Sequence, residues 1–221
     1  MDKVQHAHEI CHSVSDNADT VALFFSRGKD SIALLDIMSS HFKKIYLVNM
    51  YLVENLRHIN QYINGACLKY QNCEPYYIEH WIVSHIIKGG LYCIPDYSVR
   101  LKKLIDIDNQ VRKELNVNYT FYGMKRSDSL NRALMLKNYQ KGVSNTNKVY
   151  PLELLNNNDV KAYIRLHKLV KPIEYSKSKK SQGAVFNVDV FKFLQEHYPD
   201  DLLKIYSKFP LSKRILFEYG N

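Results

Sequence analysis

Side chains that can do phosphate chemistry are concentrated at residues 26–31, Ser-Arg-Gly-Lys-Asp-Ser, directly after an apolar run at 21–25. The run has the composition of a short buried strand, and apolar residues return at helical spacing from Ile32 onward. A helix that starts here leaves unpaired N–H groups and the positive end of its dipole facing an anion. The pattern therefore predicts a phosphate-binding loop. It is not a Walker A loop, which has glycine where Leu23 stands and Ser or Thr where Asp30 stands.

Each residue type in this loop has an expected role. Gly28 allows the backbone to approach a ligand closely or to take a positive φ. Lys29 adds a point charge, and Ser26 and Ser31 offer hydroxyl groups. Asp30 is a carboxylate placed where a phosphate-bound Mg²⁺ would need an oxygen ligand.

A second strand-to-helix transition is predicted where an apolar run at 119–122 ends at glycine. The segment that follows carries cations and hydroxyls, and Ser127 or Asp128 is expected to cap its helix. Two of its arginines can make bidentate contacts with phosphate. The candidate binding residues here are Gly123, Lys125, Arg126, Ser129 and Arg132.

Strand and helix patterns alternate around these two loops. Helices are predicted over 1–18, 29–41, 54–70 and 99–115, and further strands over 44–50 and 75–79. This alternation predicts an α/β fold with parallel crossovers and helices on both faces of the sheet. Ligands of such sheets bind at the carboxyl ends of the strands, where both loops lie.

The rest of the chain is predicted to support this domain. Residues 138–148 are expected to form a polar loop, and 149–164 to pack behind the site through a helix capped by Asn158. The segment 176–183 is either a lid over phosphates or a solvated linker. We therefore expect a nucleotide-binding domain over 1–175 and a helical extension over 176–221, which packs on the sheet or on another subunit.

Composition limits the class of protein. The 221 residues carry a net charge of +9, which favours an anionic partner such as a nucleotide or a nucleic acid. We expect a cytoplasmic protein without membrane contact, since no secretory signal or transmembrane run is visible.

The four cysteines have no metal-type spacing, so no iron–sulfur cluster is expected. Cys93 alone has a plausible path to the ligand, although a packed loop cysteine is the commoner case.

The first loop resembles the Ser-Gly-Gly-Lys-Asp-Ser signature of the ATP-pyrophosphatase or PP-loop superfamily, with Arg27 in place of the middle glycine. The second loop resembles the Gly-x-Arg-x-x-Glu-Ser-x-x-Arg element of phosphoadenosine phosphosulfate (PAPS) reductase-like proteins, and the departures from the family pattern resemble those of its phage and mobile-element members. Lys125 stands there at the first arginine position and Asp128 at the acid. The resemblance implies a Rossmann-like sheet of the adenine nucleotide alpha-hydrolase type. A third block, 149–164, resembles a family segment in the same order.

The resemblance also implies roles for individual residues. The expected catalytic residues are Lys29, Asp30, Arg126 and Arg132. Asp30 is also the expected metal ligand. The expected nucleotide-binding residues are Ser26, Arg27, Gly28, Lys29, Asp30, Ser31, Gly123, Lys125 and Ser129.

Two departures from the family limit what the resemblance implies. The C-terminal Glu-Cys-Gly-x-His element of PAPS reductases is absent, since no cysteine follows Cys93, and the strand-2 block Asp-Thr-Gly is replaced by Asn-Met-Tyr at 49–51. We therefore expect an enzyme that binds ATP with Mg²⁺ and cleaves it at the α-phosphate, giving pyrophosphate and an adenylated intermediate. The acceptor would be a small molecule or a nucleic acid such as tRNA. The alternatives are sulfonucleotide (PAPS) processing without the usual cysteine, and a non-catalytic protein that binds adenine nucleotides or nucleic acid.

Overall fold

The computed structural model describes residues 2–172 and 186–219. Five strands form one sheet in the order β3-β2-β1-β4-β5, and the pairs β1–β2, β1–β4 and β4–β5 are parallel. In chain order the strands are β1 (Thr20–Phe24), β2 (Lys44–Tyr51), β3 (Cys73–Glu79), β4 (Thr120–Phe121) and β5 (Lys148–Val149).

The strand order reverses beside β1, and this reversal positions both predicted loops. β2 and β3 follow β1 on one side, whereas β4 and β5 lie on the other side. Ala22 pairs with Thr120 and Leu23 with Phe121, so the carboxyl ends of β1 and β4 are neighbours. Such a switch point is where doubly wound sheets bind ligands.

Helices connect and follow these strands. In chain order they are α1 (Lys3–Ser15), α2 (Lys29–Ser39), α3 (Arg57–Lys69), α4 (Ile82–Gly89), α5 (Leu104–Leu115), α6 (Leu130–Lys137), α7 (Asn157–Leu166), α8 (Val188–His197), α9 (Pro199–Lys208) and α10 (Arg214–Tyr219). The parallel sheet with its helices, including a helical C-terminal region, confirms the predicted fold class. No helix in the described ranges has the length and apolarity that crossing a membrane requires.

Several helices start later than predicted, and at two of them a carboxylate accepts from the backbone where the helix begins. The backbone amides of Arg57 and His58 at the start of α3 donate to the carboxylate of Asp201, at 2.7 and 2.9 Å. In the segment before α5, the amide of Lys103 donates to Asp106 at 2.7 Å. These acceptors set where helical hydrogen bonding begins.

Two predicted N-caps are wrong by one or two residues. Ser129 caps α6 and accepts from the amide of Arg132, because a short 3₁₀ turn at Arg126–Asp128 precedes the helix. Asn156, not Asn158, caps α7, and Asp159 completes a capping box with it. Each site has several capping residue types in a row, so local preference does not choose between them.

The chain divides into two compact units. Unit 1 comprises Met1–Asn49, Ala66–Tyr76 and Asp108–Lys171, and it contains both predicted loops. Unit 2 comprises Met50–Gly65, Tyr77–Ile107 and Pro172–Asn221, and its apolar core includes Phe191, Leu194 and Phe209. The lid or linker predicted at 176–183 lies outside the described residues.

Candidate nucleotide-binding site

The loop between β1 and α2 takes its left-handed turn at Arg27 rather than at Gly28. Arg27 has φ 60°, whereas Gly28 is extended, with φ −74° and ψ 157°, and serves as the N-cap of α2. A left-handed conformation costs a residue with a side chain about 1–2 kcal/mol. The strained backbone therefore falls where the PP-loop signature has its middle glycine.

Hydroxyl groups stabilise this loop from inside. Ser26 Oγ accepts from the Gly28 amide at 3.3 Å, and Ser31 Oγ donates to the Gly28 carbonyl at 3.0 Å. The two hydroxyl oxygens lie 3.3 Å apart. Since Gly28 has no side chain, no side chain caps α2, and its first N–H groups remain suited to bind an anion.

Gly123, at the end of the strand β4, brings the second loop against the first. A Cβ atom on Gly123 would lie 3.2 Å from the Cβ of Asp30 and 3.2 Å from the backbone nitrogen of Ser31. Contacts this short are tighter than most Cβ contacts, so a side chain here would require its neighbours to shift by a few tenths of an ångström. Glycine therefore favours this close approach of the two loops.

A chain of ion pairs joins the two loops. Lys29 Nζ lies 2.6 Å from Asp30 Oδ2, and Lys125 Nζ lies 2.7 Å from Asp30 Oδ1 and 2.8 Å from Asp128 Oδ1. Arg132 Nη1 pairs with Asp128 Oδ2 at 2.9 Å. The side chain of Lys125 is 0% exposed, whereas those of Lys29 and Arg132 are 26% and 44% exposed. Lys29 and Arg132 are thus the cations of this network that solvent or a ligand can reach.

The charges in this network favour an ionised Asp128. Burial alone would raise the pKa of Asp128, but hydrogen bonds from the side chain and backbone of Lys125 outweigh burial and hold that pKa below the ordinary value. The carboxylate therefore remains charged at neutral pH and fixes the cations on either side of it.

Arg126 is held by a carboxylate that the sequence did not single out. Its Nε and Nη2 donate to Glu153 Oε2 at 3.0 and 2.5 Å, and Glu153 Oε1 lies 3.2 Å from His6 Nε2. Glu153 follows the Tyr-Pro-Leu segment and is buried, 3% exposed. A buried acid needs a charged partner. A glutamate inside an otherwise apolar segment was therefore the feature of the sequence that could have indicated this ion pair. The structure thus brings Lys29, Asp30, Lys125 and Arg132 together and ties Arg126 to Glu153.

One protein-family model matches the part of the sequence that contains these two loops. The sequence model described as "Phosphoadenosine phosphosulfate reductase domain" matches residues 20–177, most of the chain. The chain belongs to the PAPS reductase domain family. This confirms the family predicted from the sequence. No curated protein sequence matches the chain.

Two solved structures are similar in fold to this PAPS reductase family member. The PAPS reductase from Candida auris, in a phosphate complex, has a TM-score of 0.52 at 16% identity, covering 80% of this chain and 87% of that one. The U34-tRNA thiolase NcsA from Methanococcus maripaludis, with its [4Fe-4S] cluster, has a TM-score of 0.50 at 16% identity, covering 98% and 79%. Both share the fold with this chain.

The residues around Asp30 do not fit a protein-held Mg²⁺. Both carboxylate oxygens of Asp30 accept from ammonium groups, those of Lys29 and Lys125, so a divalent ion would have to compete with these two cations. Mg²⁺ also needs near-octahedral oxygen ligation, which two neighbouring ammonium groups oppose. Over residues 2–172 and 186–219, no group of three or more His, Cys, Asp or Glu side chains is arranged to hold a metal ion. Asp30 in this structure is an ion-pair partner of Lys29 and Lys125.

The altered strand-2 block lies beside the phosphate loop, whereas Cys93 belongs to unit 2. Asn49 is buried at the end of β2, and its amide nitrogen lies 3.4 Å from the carbonyl of Phe25, immediately before the phosphate loop. Cys93 is a half-buried free thiol that packs against the apolar core of unit 2. The expected roles of the site residues remain predictions.

Proposed function

We propose that this PAPS reductase family member is an enzyme that binds an adenine nucleotide by its phosphates at the N-terminus of α2 and cleaves ATP at the α-phosphate. The observation that carries the proposal is the meeting of two loops at the carboxyl ends of β1 and β4. They combine an uncapped helix N-terminus with the partly exposed cations of Lys29 and Arg132. Open N–H donors and cations together recognise phosphate oxygens.

The proposed reaction needs stabilisation of negative charge more than it needs an acid or base. A nucleophilic atom of the acceptor attacks the α-phosphorus, and the bond from that phosphorus to the bridging oxygen breaks. Pyrophosphate leaves with the bonding electrons, and the adenylyl group stays on the acceptor. Lys29, Arg132 and the α2 N-terminus would stabilise charge on the departing pyrophosphate. The acceptor would be a small molecule or a nucleic acid.

A sulfonucleotide such as PAPS is the second candidate ligand. It is favoured by the pairing of both Asp30 oxygens with lysines, because a nucleotide that needs no protein-held metal suits this arrangement. The family itself also favours it. The usual C-terminal cysteine of PAPS reductases is not found after Cys93, so a thiol would come from Cys93 or from another molecule.

Calorimetric titration of the protein with ATP, with and without Mg²⁺, and with PAPS tests the proposal. We expect ATP to bind, and ATP incubated with a tRNA fraction or with a small-molecule extract to yield pyrophosphate and an adenylated acceptor, which releases AMP when it reacts further. Binding of PAPS alone would make the second candidate the function. Binding of ATP without turnover would indicate a non-catalytic nucleotide-binding protein, and binding of neither ligand would contradict both proposals.

Lys29→Ala tests the phosphate loop itself. We expect it to weaken nucleotide binding by about 1–3 kcal/mol, the worth of a hydrogen bond to a charged group. Lys43→Ala is the matched control, because Lys43 is a surface lysine, 79% exposed, paired with Asp19. Removal of either lysine lowers the net charge equally. Equal affinities of the two variants would therefore show that overall charge, and not the loop, attracts the nucleotide.

A further inference from the structure

The ammonium group of Lys125 has the surroundings of a bound cation. Two carboxylate oxygens lie within 2.8 Å of Nζ, one from Asp30 and one from Asp128, and solvent does not reach the side chain. Desolvating an ammonium ion costs several kcal/mol, so such a lysine persists only where its partners compensate that cost. The two carboxylates provide this compensation.

The two carboxylates come from different loops, and each of their oxygens accepts a hydrogen bond. Asp30 belongs to the first turn of α2, and Asp128 to the 3₁₀ turn after β4. The second oxygen of Asp30 accepts from Lys29 at 2.6 Å. The second oxygen of Asp128 accepts from Arg132 at 2.9 Å and from the Lys125 amide at 2.9 Å. Every oxygen of the pair thus has a cationic or amide donor.

We propose that Lys125 is an internal cation, which fills the position between Asp30 and Asp128 that a divalent metal ion would otherwise occupy. Its ammonium group cross-links the two loops and, through the carboxylates, holds Lys29 and Arg132 in place. Lys125 and Asp30 are therefore positioning residues. The consequence for nucleotides rests on the proposed function: their phosphates bind without a metal ion held by Asp30.

The electrostatics of the network support this arrangement. Three cations and two carboxylates leave one positive charge beside the helix N-terminus, which suits an anionic ligand. A divalent ion at Asp30 would have to displace two ammonium groups that lie within 2.7 Å of its oxygens. The lysine therefore occupies the place of the metal ion between the two carboxylates.

Binding of Mn²⁺ without nucleotide tests the internal cation directly. Electron paramagnetic resonance should show no Mn²⁺ on the wild-type site, whereas Lys125→Ala should bind one Mn²⁺ between the freed carboxylates. The double variant Lys125→Ala/Asp30→Asn should lose that ion again. Binding of Mn²⁺ to the wild type that is lost in Asp30→Asn would overturn the proposal, and so would a folded Lys125→Ala that binds no Mn²⁺. If Lys125→Ala is unfolded without metal, recovery of its circular dichroism on addition of Mn²⁺ is the expected result, and no recovery counts against the proposal.

Nucleotide binding by Asp30→Asn gives a second test that does not need the Lys125 variant to fold. An Asp30 that positions cations should lose affinity by the same factor, about five-fold or more, in Mg²⁺ and in EDTA. A loss confined to Mg²⁺ would make Asp30 a metal ligand and contradict the proposal. Asp19→Asn, an exposed carboxylate paired with Lys43, is the control for the lost charge. If the wild type binds no nucleotide in either buffer, the proposed function fails, while the Mn²⁺ experiment still decides the role of Lys125.

Discussion

At the scale of single residues, Arg27 is the departure from the family signature with the clearest structural consequence. It takes a left-handed backbone conformation, with φ 60°, at the position where the signature has glycine. Backbone strain that persists at a binding loop is a reason to look for a function of the side chain. A contribution of the positively charged Arg27 side chain to ligand binding would offset this strain.

Arg27→Gly separates the backbone of this residue from its charge. We expect the free energy of unfolding to change by less than about 1 kcal/mol, because relief of the left-handed conformation opposes the greater flexibility of unfolded glycine. Affinity for ATP should fall because the loop loses a cation. Asn116→Gly is the matched control, since Asn116 is exposed and has φ 51°. Unfolding in urea and calorimetry measure the two effects. An unchanged affinity in Arg27→Gly would mean that Arg27 does not contribute to the site.

At the scale of elements, the site depends on how closely the turn after β4 approaches the first turn of α2. Gly123→Ala should destabilise the fold by about 1–3 kcal/mol, because the new methyl group meets the Asp30 and Ser31 backbone and cannot push it aside cheaply. Nucleotide affinity should fall as well, since the phosphate loop must shift. Gly65→Ala is the control: Gly65 lies inside α3 with nothing near its Cβ position, and alanine there should stabilise by about 0.5–1 kcal/mol. Equal stability of Gly123→Ala and wild type would contradict the tight approach.

The elements and the meeting of the two loops could be predicted because both follow from local patterns. An apolar run that ends in glycine and polar residues, repeated at 21–31 and 119–132, indicates two strand-to-helix turns, and parallel strands put them at one edge. The ion pairs could not be predicted in this way. Asp30 and Lys125 are 95 positions apart, and only the folded chain shows that this lysine is buried while Arg132 is exposed. The ion pair between Arg126 and Glu153 also depends on tertiary packing, so the sequence alone does not predict it.

At the scale of the whole molecule, each unit contains a buried or half-buried carboxylate that ties distant segments together. In unit 1, Asp36 on α2 accepts from Tyr163 at 2.8 Å and from Tyr70 at 2.5 Å. In unit 2, Asp201 on α9 accepts from the backbone at the start of α3 and from His58 Nδ1 at 2.7 Å. Burial would raise the pKa of each carboxyl, but these hydrogen bonds outweigh burial and hold both pKa values below the ordinary one. Both carboxylates therefore make the stability of the fold depend on pH.

Asp201 gives the more local test of this pH dependence. A carboxyl whose pKa is lower in the folded state stabilises the fold above its unfolded pKa, about 3.9, and this contribution is lost as the pH falls through the folded value. Asp201→Asn should therefore be less stable than wild type by about 1–3 kcal/mol at pH 7. Below about pH 4 the difference should shrink, because the unfolded wild type then takes up a proton that the folded carboxylate does not bind until the pH reaches its own, lower pKa. Asp200→Asn, the exposed neighbour in the first turn of the same helix, is the control for charge at that helix N-terminus. Urea unfolding between pH 7 and pH 3 measures both variants, and a difference that stays constant over this range would show that ionisation of Asp201 does not stabilise unit 2.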